Sequence, residues 1–131
     1  MTMNPFRVVY AEDDEQMRAG VAQLLVQQGL AVHECSNGDE AAQLCSAFRP
    51  DAVLLDLSMP DVDGCEAARR IREAHGPSTR LIALTGRGED SLKEAARAGF
   101  DEFLRKPISV STLLGALRAP AESGVSVKAG I

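Results

Sequence analysis

The chain has 131 residues, 45% hydrophobic and 25% charged, which fits one globular domain with a single sizeable core and excludes a disordered composition. Fourteen basic residues against nineteen acidic ones leave a formal charge of -5, with no long basic stretch to follow a phosphate backbone, so direct nucleic-acid binding is not expected. The N-terminal "MTMNPFR" lacks a cationic segment followed by a long apolar one, and no apolar run is long enough to cross a bilayer; a cytoplasmic protein without membrane contact is expected.

Five short β-branched or leucine-rich runs alternate with longer helical patterns. The first, "RVVYA" at 7–11, reads as a strand and ends in the carboxylates Glu12, Asp13 and Asp14. Met17, Val21, Leu24, Leu25 and Gln28 then recur at helical spacing before the stop at Gly29. The second strand is expected at "LAVHEC", 30–35. The helix after it opens with a Ser36-x-x-Asp39 cap pattern, carries Ala41, Leu44, Cys45 and Phe48 on one side, and ends before Pro50. "AVLLDL" at 52–57 predicts the third strand, with a helix following from about Gly64 to Ala74 and ending at Gly76-Pro77.

"RLIALT" at 80–85 predicts the fourth strand. The fourth helical stretch, "EDSLKEAARAG", offers only Leu92, Ala95 and Ala96 as an apolar stripe and is expected to pack lightly. "DEFLRK" at 101–106 predicts the fifth strand, and Val110, Leu113, Leu114 and Leu117 pattern a fifth helix over about 109–118. Residues 1–119 thus read as one domain and 120–131 as a flexible C-terminal tail. Cys35, Cys45 and Cys65 include no C-x-x-C pair and read as small buried hydrophobes in a reducing compartment.

Strict alternation of strand and helix predicts a parallel sheet covered on both faces, and the continuous "AVLL" fits burial on both sides. Binding crevices in such sheets lie at the carboxyl ends of the strands. Those ends carry Glu12 and Asp13, Asp56, Thr85 and Lys106. Singly, each is ordinary: acidic residues stabilise a helix start, the sole role assigned to Asp14, and a lysine or threonine is common on a surface or strand. Asp56 is the exception, because a carboxylate ending an apolar strand is costly to bury without a partner. Carboxylates from Asp13 and Asp56, a loop carbonyl and waters suit octahedral Mg²⁺. With a metal, a hydroxyl and an ammonium at the same edge, the supported chemistry is phosphoryl transfer onto Asp56 as nucleophile, Lys106 and Thr85 each holding a phosphoryl oxygen.

The motifs "VVYAEDD", "LLDLSMPDVDG", "LIALTG" and "FLRKP", in order on successive strand ends, closely resemble the receiver domain of response regulators in two-component signalling, of the chemotaxis-regulator type, over about residues 6–118. The resemblance implies a flavodoxin-like three-layer α/β sandwich, a doubly wound five-stranded parallel sheet of order 2-1-3-4-5. Asp56 is then the phosphoacceptor, Glu12 and Asp13 the acidic pair, and the Ser58 backbone carbonyl a further Mg²⁺ ligand; Lys106-Pro107 is a cis peptide. It implies a histidine kinase or histidine phosphotransfer domain as donor, and self-phosphorylation and autodephosphorylation as the chain's only chemistry. Thr85 and Phe103 would be a switch pair that alters a surface of the fourth helix, fifth strand and fifth helix, around Leu92, Ala96 and Arg105, to control a downstream protein or attached domain. A phosphorylation-dependent homodimer stays open.

The chain departs from the commonest pattern at Phe103, where tyrosine is frequent, at Ser58, where methionine is, and at Gly86, where alanine is. Ser58 and Arg87 are expected to flank the phosphoryl group's access to water and influence its hydrolysis. Two rivals stand beside this reading. One is a pseudo-receiver that binds partners without phosphorylation. The other, an aspartyl phosphatase, lacks the second carboxylate two residues after Asp56 that would act as general acid.

Overall fold

A computed structural model of the chain describes residues 5–59, 62–86, 97–118 and 126–128. Its strands are β1 (Arg7–Ala11), β2 (Ala31–Cys35), β3 (Ala52–Asp56), β4 (Arg80–Thr85), β5 (Glu102–Arg105) and β6 (Ser126–Lys128). The helices are α1 (Glu15–Gln27), α2 (Gly38–Phe48), α3 (Gly64–His75), continued by a 3₁₀ turn over Gly76–Ser78, and α4 (Val110–Arg118). The predicted fourth helix falls outside the described residues except at its end, where 97–98 are helical.

All strands pair in parallel in the order β2-β1-β3-β4-β5-β6. The expected 2-1-3-4-5 sheet is therefore present, with one strand added. Residues 126–128 lie in the stretch expected to be a flexible tail; instead they pair with β5, Phe103 opposite Val127. The sequence there, "VSVK", is β-branched, and β5 offers an unpaired edge.

Because successive strand residues point to opposite faces, the sheet sorts its side chains into two cores. Val9, Ala11, Val53, Leu55, Leu81, Ala83 and Phe103 pack with α2 and α3. Val8, Tyr10, Leu54, Ile82, Leu84 and Leu104 pack with α1 and α4. Every residue of β3 is buried, as its continuous apolar run predicts. Cys35, Cys45 and Cys65 are buried free thiols.

Two helices differ locally from the sequence reading. In α1 the buried positions are Ala22 and Leu25, while Met17 and Leu24 are 38% and 43% exposed. Leu25 of the expected stripe is buried and Val21 packs on the core, so the stripe faces the sheet in part, while Arg18 turns towards the strand end and donates to the Glu12 carbonyl at 2.8 Å. In α2 the cap is Asn37, not Ser36. Its Oδ1 accepts from Glu40 N at 2.9 Å while its Nδ2 donates to Glu40 Oε1 at 2.7 Å, two bonds closing the first turn, and Ser36 adds only a 3.3 Å hydroxyl contact to the same carboxylate. α3 ends at His75 with Gly76 as its cap, as the Gly76-Pro77 pair predicts, and the proline is accommodated in the 3₁₀ turn that follows. Among the described residues no helix is long and apolar enough to cross a membrane.

Candidate functional site

The carboxyl ends of β1, β3, β4 and β5 bring Glu12, Asp13, Asp56, Thr85 and Lys106 to one edge of the sheet. Asp56 is the last residue of β3 and Thr85 the last of β4, at 5% and 1% exposure. Glu12 and Asp13 follow β1, and Lys106 follows β5, where its backbone N–H donates to the Thr85 carbonyl at 2.8 Å. The Lys106-Pro107 bond is cis.

Two glycines bring the chain after Asp56 into place. A Cβ on Gly64, the first residue of α3, would sit 2.5 Å from the Asp56 carbonyl oxygen, and a Cβ on Gly38 would collide with the Val62 carbonyl, the group to which Gly38 N donates at 3.0 Å. Only residues without a side chain permit both approaches, so Val62 is held against the start of α2 and the Asp56 backbone against the start of α3. At the other rim Asp14 caps α1, accepting from Met17 N at 3.0 Å.

Glu12 and Asp13, adjacent in sequence, differ in environment. Glu12 is buried and accepts from Lys106 Nζ at 2.8 Å; Asp13 is exposed. Lys106 Nζ also lies 3.5 Å from Asp56 Oδ1, which in turn accepts from Ser58 N at 3.3 Å. Burial, reinforced by Asp56, pushes Glu12 up to about 7, with the Lys106 hydrogen bond pulling it back. Burial opposes the ammonium of Lys106, but the hydrogen bond to Glu12 and the charge of Asp56 outweigh it and hold the pKa above the usual lysine value. One lysine thus stands between two buried carboxylates and cannot neutralise both.

The uncompensated charge favours a cation over an anion at this edge. Oxygens of Glu12, Asp13 and Asp56 lie within 4.8 Å of one another. Three hard oxygen donors around one point, one on the open side, fit a small divalent ion that keeps several waters. These three carboxylates are among the groups expected to hold Mg²⁺.

Phe103 lies inside, 1% exposed, its ring 5.9 Å from that of Phe100 at 53°. Leu92, Ala96 and Arg87 are outside the described residues. His33 in β2 stacks on Phe48 with centroids 3.8 Å apart, and His75 ends α3. Arg18, which clasps the Glu12 backbone, was not indicated by the sequence: no spacing rule singles out one arginine on a helix whose rotation is unknown.

The family model for the response regulator receiver domain matches residues 8–118. The response regulator MprA of Mycolicibacterium vanbaalenii is 36% identical over 116 residues, 88% of this chain and 50% of that protein. The chain spans about half the length of the curated relatives it matches. Among solved structures, the signal receiver domain of the putative response regulator NarL from Mycobacterium tuberculosis is 30% identical with a TM-score of 0.79, covering 88% of this chain and 94% of that one. The chemotaxis protein CheY4 of Vibrio cholerae is 26% identical with a TM-score of 0.82, covering 88% and 98%.

Proposed function

Since the chain belongs to the response regulator receiver domain family, we propose that it is a phosphoacceptor switch whose acceptor is Asp56. An Asp56 oxygen attacks phosphorus, the bond from phosphorus to the donor's imidazole nitrogen breaks, and the imidazole leaves as the acyl phosphate forms. The donor is a histidine kinase or histidine phosphotransfer domain, and the chain's chemistry ends with loss of that phosphoryl group to water. Mg²⁺ held by Glu12, Asp13, Asp56 and the Ser58 carbonyl supplies charge neutralisation when bound. Lys106 and Thr85 take phosphoryl oxygens, and the Thr85 and Phe103 pair passes the change to a surface made by the predicted fourth helix, β5 and α4. That surface controls a downstream protein or an attached domain, in the cytoplasm, without direct contact between this domain and nucleic acid. Ser58 and Arg87 tune the lifetime of the phosphoryl group.

The observation that carries this reading is the surroundings of Asp56. It is buried at a strand end, 3.5 Å from an ammonium and within 4.8 Å of two further carboxylate donors, an arrangement that favours a divalent cation and then a phosphoryl dianion. The test is intact-protein mass spectrometry after incubation with Mg²⁺ and acetyl phosphate. One phosphoryl group should add to the wild type, and neither to Asp56→Asn nor after chelation. If no adduct forms and beryllofluoride also fails to bind, the pseudo-receiver replaces this reading, and partner binding should then survive Asp56→Ala.

A further inference from the structure

The backbone between the two acidic residues after β1 is held from both sides. Glu12 N–H donates to the Cys35 carbonyl at 3.1 Å, one step beyond the last pair of the β1–β2 ladder, Ala11 opposite Cys35. The Glu12 carbonyl accepts from Arg18 Nη1 at 2.8 Å, and Arg18 Nε lies 3.7 Å from Oε1 of Glu34, the neighbour of Cys35 in the edge strand β2. Arg18 reaches back because of its place in α1. It stands one turn after the capping Asp14, whose carbonyl accepts from Arg18 N at 2.9 Å, and helical side chains lean towards the helix N-terminus. One guanidinium thus joins the end of β1, the edge strand and the first turn of α1.

We infer that Arg18 is a positioning residue for the divalent cation: acting through the backbone, it sets the directions in which Glu12 and Asp13 present their carboxylates, and so the affinity of the site for the ion. The inference rests on the Mg²⁺-dependent reading above. A peptide unit is planar, so the bond that fixes the Glu12 carbonyl also fixes the plane from which the Asp13 Cα leaves. Glu12 is 1% exposed, and a buried carbonyl that loses its donor either turns to find another or takes a water. Turning carries Asp13 with it. A water satisfies the carbonyl but, being free to move, does not hold a direction as a side chain tethered to Glu34 does. Charge separates this role from a purely electrostatic one. A guanidinium beside an acidic site repels a second cation, so loss of its charge alone tightens Mg²⁺, whereas loss of the tether weakens it.

The experiment follows the backbone amide resonances of Glu12, Asp13 and Asp56 by NMR while the full chain is titrated with MgCl₂ at constant ionic strength, with urea unfolding of each variant alongside. Arg18→Met, which keeps an apolar stem and removes the donors and the charge, should weaken Mg²⁺ by about tenfold, as when a metal ligand loses its outer support. Arg18→Gln, too short to span from α1 to the carbonyl, should do the same and decides the matter if Arg18→Met does not fold. Arg18→Lys restores a donor and the charge and should bind within about threefold of the wild type, because a single carbonyl needs no fork. A folded Arg18→Met or Arg18→Gln chain that binds Mg²⁺ as tightly as the wild type, or more tightly, would overturn the inference and leave the Mg²⁺ reading standing, with any drop in urea stability marking Arg18 as a structural tie only. Wild-type amides that do not move with Mg²⁺ would overturn both.

Discussion

Glu12 and Asp13 show how far one residue of separation along the chain can divide chemical roles. The peptide between them turns one carboxylate into the sheet, where it meets Lys106, and leaves the other in water. Sequence established that a charge cluster follows an apolar strand, and that Asp56 ends another at a cost some partner must offset. It could not divide the pair, because which carboxylate turns inward depends on the β1 end and the position of a lysine 94 residues away. The cysteines are simpler. Burial pushes the thiols of Cys35 and Cys45 up to about 12, so neither forms much thiolate at pH 8. An aromatic disulfide reagent should label them in the native chain at least about 100-fold more slowly than in urea; equal rates would show that the core opens freely. The linkage has a sign as well. A folded-state pKa above the unfolded thiol value of about 9 means that the folded chain holds more protons, so this contribution is complete below pH 9 and lost as pH rises towards 12.

At the scale of elements, α3 is tied to the sheet by one guanidinium. Arg72 Nε donates to the Gly99 carbonyl at 3.0 Å, Nη1 to the carbonyls of Gly76 and Thr79 at 3.0 and 2.6 Å, and Nη2 to Asp101 Oδ2 at 2.6 Å. Asp101 Oδ2 also accepts from Leu81 N, so the last turn of α3 and the starts of β4 and β5 share one polar knot at the end of the sheet opposite Asp56. Arg72→Ala should lower stability by about 3 kcal/mol in urea denaturation, because four acceptors lose their donor together and Asp101 keeps an unpaired charge. Arg72→Lys should recover less than half, since an ammonium cannot span that fork; a loss under about 1 kcal/mol for Arg72→Ala would show that water replaces the knot. Element positions were legible from periodicity to within a few residues. The rotation of α1 was legible only in part: Leu25 and Val21 of the expected face do meet the core, but Met17 and Leu24 satisfy helical spacing equally well, and only packing on the sheet leaves them outside.

The whole molecule places a cluster of carboxylates on a chain that is already net negative, so a cation at the site should act on global stability. Free Mg²⁺ at tenfold its dissociation constant should stabilise the wild type by about 1.4 kcal/mol, on the order of 5 °C in Tm for a domain of this size. Asp13→Asn should remove most of that rise and, without Mg²⁺, melt above the wild type because repulsion among the carboxylates is relieved. An undiminished Mg²⁺ response in Asp13→Asn would move the ion elsewhere. At this scale the alternation of strand and helix gave the layered architecture from composition and period alone. The strand order came from the resemblance, since periodicity does not say which strand crosses to the far side. β6 was missed because three β-branched-flanked residues, "SVK", carry little signal until an open strand edge is there to receive them.

The sheet that parts the interior into two cores also parts the groups gathered at its edge. Thr85 continues the strand row of Leu81 and Ala83, which looks towards α2, α3 and Phe103. Lys106 instead walls a cavity beneath α1 and α4, beside Tyr10 and Leu84. If a group attaches at Asp56 and engages both, as we propose, it has two audiences, one on each side of a partition six strands wide, reached through separate rows of side chains. Damage to one row silences one audience and leaves the other listening.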